Sequence, residues 1–226
     1  MPCTYSMTTK LDITALKTHK AKLYPALLYG ITTIVNCHEE FRVAADGNGQ
    51  ICFFGDAVVL YSISSRYQTV FNVWSEYFGD YTAFCEQCQK GVQEYGNNKE
   101  MMANPNPPTN TFPVSMIPWT SFKRLHMNQQ RGYGYLLPIF TLGKFYEQDG
   151  KYLISLSVQV HHAACNGFHL CRFRNELQNL TKNLLEPPKV GAEREGNRML
   201  RKHTREHIDA AMPTLTRNET HKTKHL

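Results

Sequence analysis

Lys151-Tyr152-Leu153-Ile154-Ser155-Leu156-Ser157-Val158-Gln159-Val160 is the stretch that decides how the rest of the chain is read. Tyr152, Ile154, Leu156, Val158 and Val160 alternate with mostly polar partners, the period-2 pattern of a half-buried strand. Continued, that parity puts His162 on the apolar face and His161 on the other. After Gly167 the period changes, and Leu170, Phe173, Leu177, Leu180 and Leu184 follow helical spacing. Between the two lies His161-His162-Ala163-Ala164-Cys165-Asn166-Gly167. A strand-to-helix junction of this kind often places a side chain in a cleft, with backbone N–H groups nearby. A histidine there, held in one tautomer by a backbone carbonyl, keeps its other nitrogen free as a base near neutral pH. Taken alone, a His-His pair reads rather as a satisfied core histidine beside a turn glycine, and periodicity does not separate the two.

Working outward, residues 41–45 and 50–54 read as short strands joined by the hairpin signal Asp46-Gly47-Asn48-Gly49. Residues 57–63 continue the sheet. Residues 11–35 carry Leu16, Leu23, Leu27 and Leu28 at helical spacing, with Pro25 near a helix start. Residues 73–95 also read as helix, 96–113 as a polar, proline-rich loop, and 114–117 as a strand ended by Pro118. From Glu186 the apolar pattern fades. The expectation is one α/β domain over residues 1–185, a two-layer mixed sheet covered by helices. A basic, mobile extension over 186–226 follows it.

Composition narrows the function. Hydrophobic residues make up 42% and charged residues 19%, which is globular rather than disordered. The formal net charge is +6, but ten Lys/Arg against six Asp/Glu from Thr181 onward put +4 of it in the tail. The body is nearly neutral, which gives nucleic-acid binding little support. No run reaches the ~18 apolar residues of a membrane span, and residues 1–11 lack the apolar core of a signal peptide. A cytoplasmic location is the default reading. Seven scattered cysteines argue against a disulfide framework. Cys85 and Cys88 form a CxxC with no second pair nearby, so one side of a helix is preferred to a metal site, and no metal is expected.

Several ordered motifs resemble one family. Val158 to His169, followed by Asn175-Glu176-Leu177-Gln178, closely resembles the chloramphenicol acetyltransferase signature HHAxCDGFH and its following NELQ helix. Ser115-Met116-Ile117-Pro118-Trp119-Thr120-Ser121-Phe122 resembles the family's S-x-x-P-W-x-x-F segment. Pro138-Ile139-Phe140-Thr141-Leu142-Gly143-Lys144-Phe145 resembles its P-[IV]-x-T-x-x-K-[YF] segment. Leu11-Asp12-Ile13-Thr14, Tyr24-Pro25 and Trp74-Ser75-Glu76-Tyr77 match in order, and the likeness runs from Cys3 to about Leu180.

The resemblance implies an acyltransferase that uses acetyl-CoA to acetylate the 3-hydroxyl of chloramphenicol, and so confers antibiotic resistance. His162 matches the general base, and Ser115 matches the serine that steadies the tetrahedral oxyanion. Thr141 matches a threonine that holds an ordered water. Cys3, Tyr5, Tyr135, Leu137 and Ile139 match positions lining the antibiotic pocket. Lys22, Trp119 and Lys144 match positions on the coenzyme A side. A homotrimer with active sites between subunits is implied, with no nucleic acid or membrane partner.

The match departs at three places. Asn166 stands where the motif has Asp, a carboxylate that in the family pairs with an arginine near the N-terminus. The chain starts almost at the family's C-x-[FY]-S segment, here Cys3-Thr4-Tyr5-Ser6, so it reads as N-terminally truncated and without that arginine. The two changes are consistent, because a buried carboxylate left without its partner typically costs about 3–5 kcal/mol. Asn166 keeps the shape without the charge and is expected, with Gly167, to serve the turn and cap the helix. The third departure is the tail. Two other readings follow: a non-catalytic or weakly active relative, and another acyltransferase with the H-x-x-x-D-G logic, such as a dihydrolipoyl acyltransferase domain.

Overall fold

The computed structural model describes residues 3–45, 49–64, 70–96, 102–127 and 134–185. The extension expected over 186–226 lies outside the described residues, as do Asp46, Gly47 and Asn48 of the hairpin.

The main sheet has seven strands among the described residues. They are β1 (Thr4–Asp12), β4 (Val58–Ser64), β5 (Val70–Ser75), β6 (Thr111–Met116), β7 (Ile139–Leu142), β8 (Tyr146–Gln148) and β9 (Lys151–His161). Their order is β1-β9-β7-β6-β4-β5, with β8 added to the start of β9. β4, β6 and β7 run parallel to one another, and the other pairings are antiparallel, so the sheet is mixed as expected. A separate two-stranded hairpin pairs β2 (Val43–Ala45) with β3 (Ile51–Phe53), as the sequence signal predicts. The helices are α1 (Thr14–Thr18), α2 (Leu23–Cys37), α3 (Tyr81–Tyr95) and α4 (Gly167–Asn183), with one 3-10 turn at Glu39–Phe41. None of these helices is long and apolar enough to cross a membrane.

The β8–β9 corner turns through Asp149 and Gly150, with φ of 51° and 71°. Two consecutive positive φ values match the twist of a two-residue hairpin, and Asp-Gly suits them. β9 then lies between β1 and β7. Ile154, Leu156, Val158 and Val160 join the buried core with Leu27, Leu28 and Ile31 of α2 and Leu170, Phe173 and Leu177 of α4. An aromatic run links Phe112, Phe140, Phe173 and Phe41, with ring centroids 5.7, 5.1 and 5.3 Å apart. α2 crosses α4 closely at Gly30, where an added Cβ would stand 2.9 Å from Leu177 Cδ1. Pro25 falls in the first turn of α2, where its missing N–H is harmless.

Three expectations change. Residues 11–35 are not one helix: Leu11 and Asp12 end β1, and two helices follow. Residues 73–95 split into the end of β5 and α3, because Gly79 takes a φ of 70° and Asp80 caps the helix by accepting from Ala83 N–H at 2.8 Å. β9 is buried on both faces rather than one. Ser155, Ser157, Gln159 and His161 are 2–6% exposed. The chain from Phe122 to Met127 bonds Ser155, Ser157 and Gln159 of this face, whereas the buried His161 Nε2 has no partner among the described residues. Ser155 Oγ donates to Phe122 O at 2.6 Å and Ser157 Oγ to Leu125 O at 2.8 Å, while Gln159 Oε1 accepts from Met127 N–H at 3.0 Å.

Candidate active site

β9 stops at His161, and the reason is local. His161 is buried, and its Nδ1 accepts the Ala163 N–H at 3.1 Å. Its carbonyl accepts from Ala164 and Cys165 N–H, each at 3.0 Å, which closes a tight turn. The turn swings the next ring outward. His162 is therefore exposed at the sheet's end and does not continue the apolar parity predicted for it. Its backbone N–H donates to Cys3 O at 2.7 Å, and its ring lies 5.6 Å from that of Tyr5. The Tyr5 hydroxyl is buried without a hydrogen-bond partner among the described residues.

Asn166 then starts α4. Its Oδ1 accepts from Phe168 N–H at 3.0 Å and His169 N–H at 3.3 Å, and His169 Nδ1 accepts the Asn166 N–H at 3.1 Å. This is the expected cap, closed in both directions. An uncharged amide oxygen is sufficient for it. Gly167 has open space where a Cβ would stand. Cys165 packs beneath, 3.2 Å from Glu40 O, and burial pushes its thiol up to about 12, with Glu40 adding to the shift.

Ser115 and Thr141 are register partners on β6 and β7. Thr141 in turn faces Ser157 on β9, and Ser157 faces Thr8 on β1. On the other side, Ser115 Oγ lies 3.2 Å from Ser62 Oγ of β4, and Ser62 Oγ donates to Asn72 Oδ1 of β5 at 2.8 Å. The result is one row of small polar side chains crossing six strands: Thr8, Ser157, Thr141, Ser115, Ser62, Asn72. Ser62 and Asn72 escaped the sequence reading. The one signal available was the alternation of Ser62 and Ser64 with apolar residues in β4.

The remaining candidates separate along the sheet. Cys3 just before β1, Tyr5 on it and Ile139 at the start of β7 lie toward the His162 end, since Cys3 O accepts the His162 N–H, Tyr5 pairs with Val160 and Ile139 with Gln159. Leu137 and Tyr135 precede Ile139 on the same side. Leu137 is buried, and burial pushes the Tyr135 phenol up to about 12. Trp119 and Lys144 lie beyond Ser115 and Thr141 in the chain, both exposed, tied by the Lys144 N–H donating to Thr120 O at 2.8 Å. Lys22 precedes α2, exposed, with its Nζ donating to Gln89 Oε1.

His162 and Ser115 do not meet within the chain. His162 is five residues past Ser157, the β9 residue in line with Ser115, and β6 is two strands away from β9. With ~3.3 Å of rise per residue and ~4.8 Å between strands, the two are separated by on the order of 19 Å. A base and an oxyanion donor serving the same reacting carbonyl must lie within a few ångströms of it.

The family model described as chloramphenicol acetyltransferase matches residues 1–178. A chloramphenicol acetyltransferase from Vibrio anguillarum is 62% identical over 185 residues, covering 81% of this chain and 86% of that one. A solved structure of a chloramphenicol acetyltransferase superposes with a TM-score of 0.69 at 18% identity, over 79% of this chain and 88% of that one. The dihydrolipoamide acetyltransferase of Azotobacter vinelandii superposes with a TM-score of 0.65 at 13% identity, over 80% and 82%, a likeness of fold.

Proposed function

The chain belongs to the chloramphenicol acetyltransferase family, and from that premise we propose an acetyl-CoA-dependent O-acetyltransferase that acetylates the 3-hydroxyl of chloramphenicol. The observation that carries the reading is the 62% identity to a named chloramphenicol acetyltransferase over a stretch that includes Ser115, Thr141 and His162. Acetylation of that hydroxyl is the basis of the resistance we infer. The dihydrolipoyl alternative has only a likeness of fold behind it.

In this proposal, His162 takes the proton of the 3-hydroxyl as its oxygen attacks the acetyl carbonyl carbon of the thioester. The carbonyl electrons move to oxygen, and Ser115 O–H donates to that oxyanion. The tetrahedral adduct then collapses. The C–S bond breaks, the coenzyme A sulfur leaves with the electron pair, and the imidazolium returns the proton to it. Thr141, beside Ser115, is assigned the ordered water near the adduct. Cys3, Tyr5, Tyr135, Leu137 and Ile139 are assigned to the acceptor pocket, and Lys22, Trp119 and Lys144 to coenzyme A. The lysines offer cations for phosphate oxygens.

The same proposal requires a second chain. Because His162 and Ser115 are separated by on the order of 19 Å in one subunit, we assign the base of each site to one subunit and the oxyanion donor to its neighbour. A homotrimer closes that arrangement by cyclic symmetry. We further propose that residues 1–185 form the catalytic domain, 186–226 an extension to it, and that the enzyme works in the cytoplasm, where acetyl-CoA is made.

The test is release of coenzyme A thiol from acetyl-CoA, with chloramphenicol against no acceptor. Release should depend on chloramphenicol and fall by about 10²–10⁴-fold in His162→Ala, the usual contribution of a positioned base. Release that ignores either the drug or the substitution refutes the assignment.

A further inference from the structure

The Ser115 hydroxyl has a neighbour that the family motifs do not mention. Ser62 Oγ lies 3.2 Å from Ser115 Oγ, and Ser62 Oγ lies 2.8 Å from Asn72 Oδ1. A serine hydroxyl has one proton to give. An amide oxygen only accepts, so the shorter contact commits the Ser62 proton to Asn72. Toward Ser115, Ser62 is then an acceptor, and the Ser115 proton points along the row to it.

The backbone on both sides is fixed by further bonds. The Tyr24 hydroxyl shares its one proton between Ser62 O and Val114 O, each 3.1 Å away, and so ties β4 to the residue before Ser115. Burial lifts the Tyr24 phenol far above its ordinary range, so it stays a donor. Asn72 is held by its own carbonyl, which accepts from Ala103 N–H at 2.9 Å.

We propose that Ser62, backed by Asn72, is a positioning residue for the oxyanion donor. It fixes the Ser115 Oγ in one rotamer and holds its proton between turnovers. When negative charge develops on the substrate oxygen, that charged acceptor outcompetes a neutral hydroxyl at 3.2 Å. The Ser115 O–H turns to the oxyanion, and Ser62 keeps its bond to Asn72. One O–H rotor moves, no proton is transferred, and no buried donor is left unpaired. The inference rests on the reading of Ser115 as the oxyanion donor.

The test is a double-mutant cycle on the full-length enzyme with acetyl-CoA and chloramphenicol. Ser62→Ala should lower kcat roughly 5- to 30-fold, a fraction of the loss from removing an oxyanion donor outright. KM for both substrates should stay level, because the Ser115 donation that Ser62 positions is made to the substrate oxygen in the transition state alone. Ser62→Thr, which keeps an Oγ, should recover most of that loss. In a Ser115→Ala background, Ser62→Ala should have no further effect on kcat. An equal loss in both backgrounds, or a loss carried by KM, means that Ser62 merely supports the sheet and overturns the inference. If Ser115→Ala alone leaves kcat unchanged, the oxyanion assignment itself is wrong. That failure is read from a different variant.

Discussion

Gln178 closes on both backbone groups of Asp12: its Oε1 accepts the Asp12 N–H and its Nε2 donates to the Asp12 carbonyl, each at 2.8 Å. The last residue of the NELQ segment thus acts on α4 as a substitute strand partner for the end of β1. The side chain is buried, so neither backbone group has water to replace it. Gln178→Leu should destabilise the fold by about 2–4 kcal/mol, the cost of two orphaned groups at roughly 1–2 kcal/mol each. Chemical denaturation would measure it. A change below about 0.5 kcal/mol, the range of ordinary surface substitutions, would mean the clamp is dispensable.

The separation of His162 from Ser115 gives the sharpest prediction. His162→Ala and Ser115→Ala should each be nearly inactive alone. Unfolded together and refolded as a 1:1 mixture, they should regain up to about a quarter of wild-type activity, since random cyclic assembly brings an intact base and an intact donor together at that fraction of interfaces. A mixture no more active than its components would rule out shared sites.

Asn166 tests whether its role is structural. Asn166→Ala removes the acceptor for Phe168 and His169 N–H and should cost about 0.5–2 kcal/mol of stability. Asn166 is exposed rather than buried as expected, so Asn166→Asp carries no burial cost: it keeps the acceptor and places a negative charge at a helix N-terminus, worth about 0.3–1 kcal/mol at most. It should therefore match or slightly exceed the wild-type Tm without a large gain in kcat. A strong gain would show that a charge at this position serves the chemistry as well as the cap.

The buried thiols predict alkaline behaviour. Burial pushes Cys165 up to about 12 and Cys88 up to about 11, each with nearby groups adjusting the shift. An unfolded cysteine ionises near 8.5. The folded state holds these protons longer, so their contribution to stability is full below about 8.5 and is lost as pH rises toward the folded values. Unfolding midpoints should fall over that window. At pH 8, exposed Cys3, Cys52 and Cys171 should react with Ellman's reagent well before Cys165. Equal rates would contradict the burial of Cys165.

β9 and α4 were legible in the sequence because their periods are unmistakable and they meet at a turn. The second face of β9 was not. Ser155, Ser157 and Gln159 look like solvent-facing residues, and no pattern distinguishes water from the backbone groups of residues 122–127 as their partner. β1 was missed although Tyr5, Met7 and Leu11 alternate with Ser6, Thr8 and Lys10, because Thr9 interrupts the apolar side and leaves the pattern short. Its pairing to β9 completes the order that this weak pattern only suggests. Residues 73–95 blurred a strand into a helix, although Gly79-Asp80 marked the break. The motifs located His162 and Ser115 in the chain, but strand order, which no local pattern encodes, sets the distance between them.

The two-sided sheet has a consequence for fidelity of folding. A slip of one residue in β6 or β9 would turn Ser115 or Ser157 into the oily layer and bring Val114 or Val158 out of it. Such a molecule would be too unstable to persist. The chain therefore proofreads its chemistry through its packing, and few molecules survive with a complete fold and a misdirected serine.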